Sequence, residues 1–297
     1  MRSAVVAKCA FGLLVVSLLS YGTPVSTDYS HKSVTELIDD LTQVESESVV
    51  INSDQIVAGF IADETPASLR TNRYGVILPD APPAMRELVR RGPLALPELI
   101  KHLEDRRATK LDVGNPPPGS TGVFVGKFFG DDYAPRVYHS EPRRQPHWTS
   151  WAQRGFLTLS HEPSAYTLRV GDLCYALIGQ IVNRRLVAVE PVPTGMLIVN
   201  SPIESRVLVE ELESDWGTGD VETLKASLLA DIHGTNDQAR VETAVDPKQR
   251  RFEDQQHTKY IVNPALRRLR QYFPDAYAVL DGDDLQKKKA FEGQEIK

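Results

Sequence analysis

Three histidines in the middle of the chain are the residues best suited to metal chemistry. His139, His147 and His161 follow the adjacent carboxylates Asp131 and Asp132. A catalytic zinc ion binds about three protein ligands and keeps one position open for water. The spacings match no helical histidine pair, but a loop can bring ligands of any spacing together. The histidines of the segment 131–161 can be read in two ways. They are either solvated loop residues or, in the alternative function, the site of an exported, metal-assisted hydrolase.

Nucleophilic catalysis finds less support. Gly119-Ser120-Thr121-Gly122 lacks the G-x-S-x-G frame that places a serine between a strand and a helix. Cys174 has leucine, tyrosine and alanine neighbours, which favour a buried, unreactive thiol. We therefore predict no catalytic residue and no cofactor, and the sequence favours a non-enzymatic protein over an enzyme.

Aromatic residues gather in the same central region and provide the candidate binding residues. Exposed aromatic rings bind protein or sugar partners well, whereas buried rings would form a small core inside the region. The candidates are Phe128, Phe129, Tyr133, Trp148 and Trp151.

The segment 106–165, which carries these candidates, is predicted to have little regular secondary structure. Three consecutive prolines begin at Pro116, and glycines recur after them. Proline and glycine at this density shorten regular helices and indicate turns. The residues 123–129 have strand-forming character between turn signals. We expect a surface excursion that carries one short β element.

A helix pair precedes this excursion. Apolar residues at helical spacing predict helices over 84–91 and 94–105, and Gly92-Pro93 separates them. Two amphipathic helices joined so closely are expected to pack antiparallel. The segment MRELVRRGPLALPELIKHLEDRR resembles a HEAT-type repeat, which implies a protein-binding scaffold. No second copy recurs at the period of such repeats.

Further helices are predicted after the excursion. Asp172 is expected to cap a buried helix that reaches about Asn183, and Ser201-Pro202 is expected to start a helix that ends near Asp215. A β-hairpin is possible between them, over 186–200. Asp220 should open a helix that ends near Gly234. The block 170–216 resembles uncharacterised exported bacterial proteins, which implies no assigned activity. The resemblance rests on VGDLCYALIGQIVNRR, VNSP and a helix ending in DW.

The expected fold class is mainly α, with antiparallel HEAT-like helix pairs and a minor β element in the central irregular region. A capping box at Ser33 and Glu36 starts the first helix. Pro264 opens the last predicted helix, and the polar tail is expected to fray. The expected regions are a signal peptide at 1–22, an N-terminal helical region at 23–105, the excursion at 106–165, a C-terminal helical region at 166–280 and the tail at 281–297.

The first residues predict export. Arg2 and Lys8 precede a ten-residue apolar core, Ala10–Leu19, which is too short to span a bilayer. Cleavage after Gly22 would leave a chain without stable membrane insertion, in the periplasm or outside the cell; an uncleaved anchor is the alternative. Cleavage would also leave Cys174 as the single cysteine, so no internal disulfide could form.

Charge limits the partners that are expected. The chain has 34 basic and 40 acidic residues, and an acidic balance argues against general binding to nucleic-acid phosphates. An unknown protein is the expected partner. These features together predict an exported, non-enzymatic protein-interaction or structural module of the bacterial cell envelope.

Overall fold

The structure is a computed structural model, and it describes residues 28–45, 60–62, 81–113, 126–130, 165–192, 196–234, 254–255 and 257–295. The described part of the chain is mainly α-helical, as the sequence predicts. Its buried apolar residues, from Leu37 to Phe291, form one continuous core.

Nine α-helices lie in the described residues: α1 (Val34–Asp40), α2 (Pro83–Arg91), α3 (Leu96–Lys101), α4 (Val170–Val182), α5 (Arg206–Trp216), α6 (Val221–His233), α7 (Asn263–Tyr272), α8 (Pro274–Ala278) and α9 (Gly282–Glu295). Short 3-10 turns occupy Tyr29–His31, Leu41–Gln43 and Gly92–Leu94, and a π-helical turn, Thr258–Val262, leads into α7.

The strands of the described residues form two small sheets. They are β1 (Ala108–Val113), β2 (Gly126–Phe129), β3 (Tyr166–Arg169), β4 (Val189–Val192) and β5 (Met196–Val199). The strands β1 and β3 pair antiparallel, and the second sheet has the order β2-β5-β4. The β4–β5 pair is antiparallel, as the hairpin reading predicted, whereas β2 runs parallel to β5.

The helix α4 is the centre of the core, and every residue in it is buried. Its sequence is apolar on nearly all sides, which is typical of a helix covered by neighbours all round. The helices α2, α3 and α6 all pack against it. The predicted burial of the Cys174 thiol on this helix is confirmed.

The predicted helix pair around Gly92-Pro93 is present as α2 and α3, although α3 is shorter than predicted. Residues after Lys101 turn toward β1 because that strand must pair with β3. The main contacts of α2 are with α1 and α4, and those of α3 are with α4 and α5. The HEAT-like antiparallel pairing of the two helices is not confirmed.

The N-terminal helix begins as predicted. The Ser33 hydroxyl accepts a hydrogen bond from the Glu36 amide (3.2 Å), and the Glu36 carboxylate accepts one from the Ser33 amide (2.7 Å). The helix and its following 3-10 turn end at Gln43.

The predicted capping of α4 by Asp172 is confirmed, although the helix begins earlier than predicted, at Val170. Asp172 lies in the first turn, and its carboxylate accepts a hydrogen bond from the amide of Arg169, the residue before the helix (2.9 Å). The predicted start of α5 is wrong. The helix α5 begins at Arg206 and not at Pro202, because the Ser201 hydroxyl binds Asp172 and holds residues 201–204 in a separate turn.

The prediction that the tail from Asp281 is frayed is also wrong for its described residues. The helix α9 covers Gly282–Glu295, and its Phe291 side chain is almost fully buried. A single aromatic ring among polar residues gives too weak a periodic signal to predict such a helix.

The described residues contain no helix with both the length and the apolarity that crossing a bilayer requires. The predicted signal peptide, residues 1–22, lies outside the described residues.

Candidate functional site

Most of the sequence-predicted site residues lie outside the described residues. This holds for the aromatic candidates Tyr133, Trp148 and Trp151 and for the metal candidates His139, His147 and His161. Among the described residues, no group of three or more His, Cys, Asp or Glu side chains is placed to hold a metal ion. The binding and metal predictions therefore stay predictions.

Two aromatic candidates belong to strand β2. Phe128 and Phe129 are the last two residues of that strand, and they pair with Ile198 and Val199 of β5. The Phe129 side chain is 44% exposed, which makes it one of the most exposed large apolar residues that the structure describes. In the described part of its sheet, β2 is an edge strand. An edge strand presents backbone donors and acceptors that another chain can pair with.

The side chains that come closest to a catalytic arrangement form a buried carboxylate cluster of Tyr166, Asp172 and Ser201. Asp172 Oδ1 accepts a hydrogen bond from the Ser201 hydroxyl, and Oδ2 accepts one from the Tyr166 hydroxyl (3.2 Å). Oδ2 also accepts the Arg169 backbone amide (2.9 Å). The Ser201 oxygen in turn accepts the Ile203 amide (3.1 Å). The cluster thus joins β3, the first turn of α4 and the turn before α5.

Burial controls the electrostatics of this cluster. Asp172 and Ser201 have no exposed surface, and Tyr166 is 6% exposed. Burial raises the pKa of the Asp172 carboxyl, because the charged form loses its hydration, and the hydrogen bonds to it oppose the rise. Burial and the nearby Asp172 carboxylate also raise the pKa of the Tyr166 hydroxyl.

The cluster has the residue types of a nucleophile and a base but the accessibility of a structural element. A catalytic serine must reach a substrate carbonyl, whereas the Ser201 hydroxyl faces the protein interior on all sides. Burial likewise raises the pKa of the Cys174 thiol, which disfavours the reactive thiolate. These groups hold the central helix in place, and the chemistry they offer is hydrogen bonding.

A second buried polar group closes the other end of α4. Arg184 Nη1 donates to Asp231 Oδ2 of α6 (2.6 Å), and Nη2 donates to the Ser227 hydroxyl (2.7 Å). Asn183 has a left-handed backbone (φ 59°) and donates from its side chain to the same Asp231 oxygen (2.9 Å) and to the Ile261 carbonyl. The cation lies beside the last carbonyls of α4, where positive charge is favourable.

A third buried polar side chain, Arg268, connects α7 to α4 and to the segment 60–62. Its Nε donates to the Gln180 carbonyl (2.5 Å), its Nη1 donates to the Pro264 carbonyl (2.9 Å), and its guanidinium lies over the Phe60 ring at 4.8 Å. The Phe60 ring also meets Tyr272 edge to face, with 5.8 Å between centroids. This arginine anchors an otherwise distant segment to the core.

The sequence did not indicate that the residues of these three polar groups contact one another. Asp172 and Ser201 were each recognised as helix-cap residues, but nothing in the sequence indicates that they bind each other across 29 positions. Arg184 and Asp231 have the composition of an ordinary solvated surface, and only their shared burial separates them from other charged residues.

Comparison with known proteins adds no assignment: no protein-family model, curated protein or solved structure matches the chain.

Proposed function

We propose that the protein is an exported, non-enzymatic interaction module of the cell envelope that binds a protein partner through the β2 edge. The observation that carries this proposal is the half-exposed Phe129 at the end of an edge strand. An added strand would gain backbone hydrogen bonds along β2, and a side-chain pocket against the phenyl ring would supply specificity. The best fit is an extended peptide segment with an apolar residue.

The buried clusters support a non-enzymatic role. Four described side chains have the types that could act as nucleophile, acid or base: Tyr166, Asp172, Cys174 and Ser201. All four are buried, in contacts that hold α4. A site for chemistry needs such groups to face a substrate. Here the accessible apolar side chains, rather than the reactive ones, are available to a partner.

A HEAT-like scaffold is the finer form of this proposal. It would make α2 and α3 a second recognition surface, with Leu94 between them. The Leu94 side chain is 78% exposed, which suits a contact with another protein. Export rests on the basic start and the apolar stretch 10–19 of the sequence.

Photo-crosslinking in the native envelope tests the β2 edge. A photoreactive phenylalanine analogue at Phe129 should crosslink one specific companion, whereas the same analogue at Val279 should not. Val279 is the matched control because it is 77% exposed and lies outside the sheet, before α9. Equal crosslinking from both positions, or none from Phe129, would contradict binding at β2.

A second measurement separates recognition from surface stickiness. Phe129→Ser should abolish capture of that companion and leave the far-ultraviolet circular dichroism unchanged, because an exposed ring contributes little to the core. Edman sequencing of the exported protein tests the leader, and a mature chain that begins at Thr23 is the expected result.

A further inference from the structure

His102, the residue directly after α3, lies between two carboxylates. Its Nδ1 lies 3.2 Å from an Asp105 carboxylate oxygen, and its Nε2 lies 3.5 Å from a Glu98 carboxylate oxygen. A neutral imidazole has one N–H donor and one acceptor nitrogen, whereas the imidazolium donates from both nitrogens. A neutral ring would therefore direct a lone pair at one of the two anions. The geometry fits the protonated ring, and the C-terminal end of a helix also favours a positive charge.

Both carboxylates are held in their ionised form. A hydrogen bond from Lys101 outweighs the effect of burial and lowers the pKa of the Glu98 carboxyl. Burial tends to raise the pKa of the Asp105 carboxyl, but hydrogen bonds from Arg107 and His102 outweigh it and lower that pKa. Histidine is the side chain that ordinarily changes charge between about pH 5 and 8. A change of charge among these three groups in that range therefore falls to the histidine.

The helices α1, α4 and α5 pack against α3, and none of them contains a histidine. Their charged residues with partners are Asp40, bound to Lys32; Asp39, bound to Arg107; Asp172, in the buried carboxylate cluster; and Arg206, bound to Glu104, Glu210 and Glu213. Glu36, in its capping box, and the α5 acids Glu211 and Asp215 complete the set. Asp172 is the member of this set with a raised pKa, because it is buried. A variant at position 102 separates its response from that of the histidine.

Residues 102–107, which we call the α3–β1 junction, hold several elements together. The Gly171 amide in the first turn of α4 donates to the Asp105 carbonyl (3.0 Å). The Arg107 guanidinium binds the Asp105 carboxylate (2.6 Å), and its second ion pair connects the junction to α1. The contact between His102 and Asp105 thus joins α3 to the residue that also binds the start of the central helix.

We propose that His102 makes the α3–β1 junction a pH-sensitive connection. The imidazolium joins Glu98 to Asp105 at mildly acidic pH, and the junction loosens when the ring loses its proton. The stabilisation is therefore present at the acidic end of the range between about pH 5 and 8 and is lost as the pH rises. Loosening weakens the attachment of α3 and β1 to the start of α4. The inference is independent of binding at β2.

Urea unfolding at about pH 5.5 and about pH 8 tests the connection. His102→Gln keeps a hydrogen-bond donor and removes the charge. Between these pH values, the unfolding equilibrium constant of the wild type should rise about tenfold more than that of His102→Gln, the size expected for a partly buried cation at a helix end. Asp172 is present in both proteins, so the difference isolates His102.

His31→Gln is the matched control. His31 also lies near a carboxylate, at 3.0 Å from Asp28, but its side chain is 85% exposed, against 24% for His102. Water and salt screen an exposed pair, so this variant should keep the pH response of the wild type.

Hydrogen exchange measures whether the response lies at the junction. After correction for intrinsic exchange rates, the protection of the Gly171 amide should fall about tenfold further in the wild type than in His102→Gln over the same pH range, because this amide donates to the junction. If His102→Gln does not fold, Glu98→Gln takes its place. That variant keeps the histidine, removes one of its two carboxylates and should reduce the wild-type response to roughly threefold.

Equal pH responses of the wild type and His102→Gln would overturn the proposal. A His31→Gln variant that loses the response as fully as His102→Gln would also overturn it, because burial at the junction would then have no special effect. The same holds if the protection of the Gly171 amide depends on pH equally with and without His102.

Discussion

Replacing the Asp172 side chain by alanine should remove a large part of the stability of this fold. The change deletes the acceptor of three donors: the hydroxyls of Ser201 and Tyr166 and the amide of Arg169. Asp172 and Ser201 have no exposed surface, so water has no direct route to replace the lost acceptor. A buried donor left without a partner costs about 1–3 kcal/mol. Three such donors give an expected loss of about 3–5 kcal/mol once partial rearrangement is allowed.

Urea unfolding followed by circular dichroism measures this loss, and an unchanged m value would show that the two-state analysis holds. Asp220→Ala is the matched control. Asp220 also accepts three donors at the start of a helix, α6, namely the amides of Glu222 and Thr223 and the Thr223 hydroxyl, but it is exposed, so water can replace it. Its loss should be clearly smaller. If Asp172→Ala costs no more than Asp220→Ala, the reasoning from burial is refuted. Asp172→Asn, which keeps one acceptor oxygen, should fall between the two.

Three further predictions follow from the same structure. Burial raises the pKa of Asp172 above its unfolded value, so the stabilisation from its protonated form is present at low pH and is lost as the pH rises through the folded pKa. Asparagine does not titrate in this range. The difference in free energy of unfolding between wild type and Asp172→Asn should therefore shrink from about pH 4 upward. Arg184→Met alone should cost about 3–5 kcal/mol in thermal or urea unfolding, because it strands a buried carboxylate, and the double variant Arg184→Met/Asp231→Leu should recover most of that loss. Gly92→Ala should destabilise by about 2–4 kcal/mol, because Gly92 has φ +51° and a methyl group there would lie 2.2 Å from the Tyr272 ring; a wild-type melting temperature would show that α2 and α7 do not meet in this way.

Local features were predictable where the residues that cause them are neighbours. The capping box at Ser33 and Glu36, the start of α6 after Asp220 and the hairpin of β4 and β5 all follow from side chains within a few positions of the backbone groups they serve. The mainly helical class follows in the same way, from apolar periodicity. The observed helix boundaries differ from the predicted ones where a capping side chain binds a residue distant in sequence. At Ser201, for example, the hydroxyl binds Asp172 and does not cap α5.

The candidate sites divide along the same line. Phe129 is a binding candidate from residue type alone, and that prediction stays a prediction, whereas its position in an edge strand of the described sheet required the parallel pairing of β2 with β5, across about 70 residues of chain. The packing of α9 could not be predicted, because the tail is mostly polar and the burial of Phe291 depends on two arginines of another helix.

Periodicity, capping residues and turn residues determined by themselves that this chain forms apolar-faced helices with a short hairpin, because those signals act through backbone groups a few residues away. The tertiary structure alone decided which polar residues lose their water. Burial of Asp172, Arg184 and Arg268 depends on surfaces supplied by distant segments, and the free energy of a polar group is set by its solvation and its partners rather than by its type.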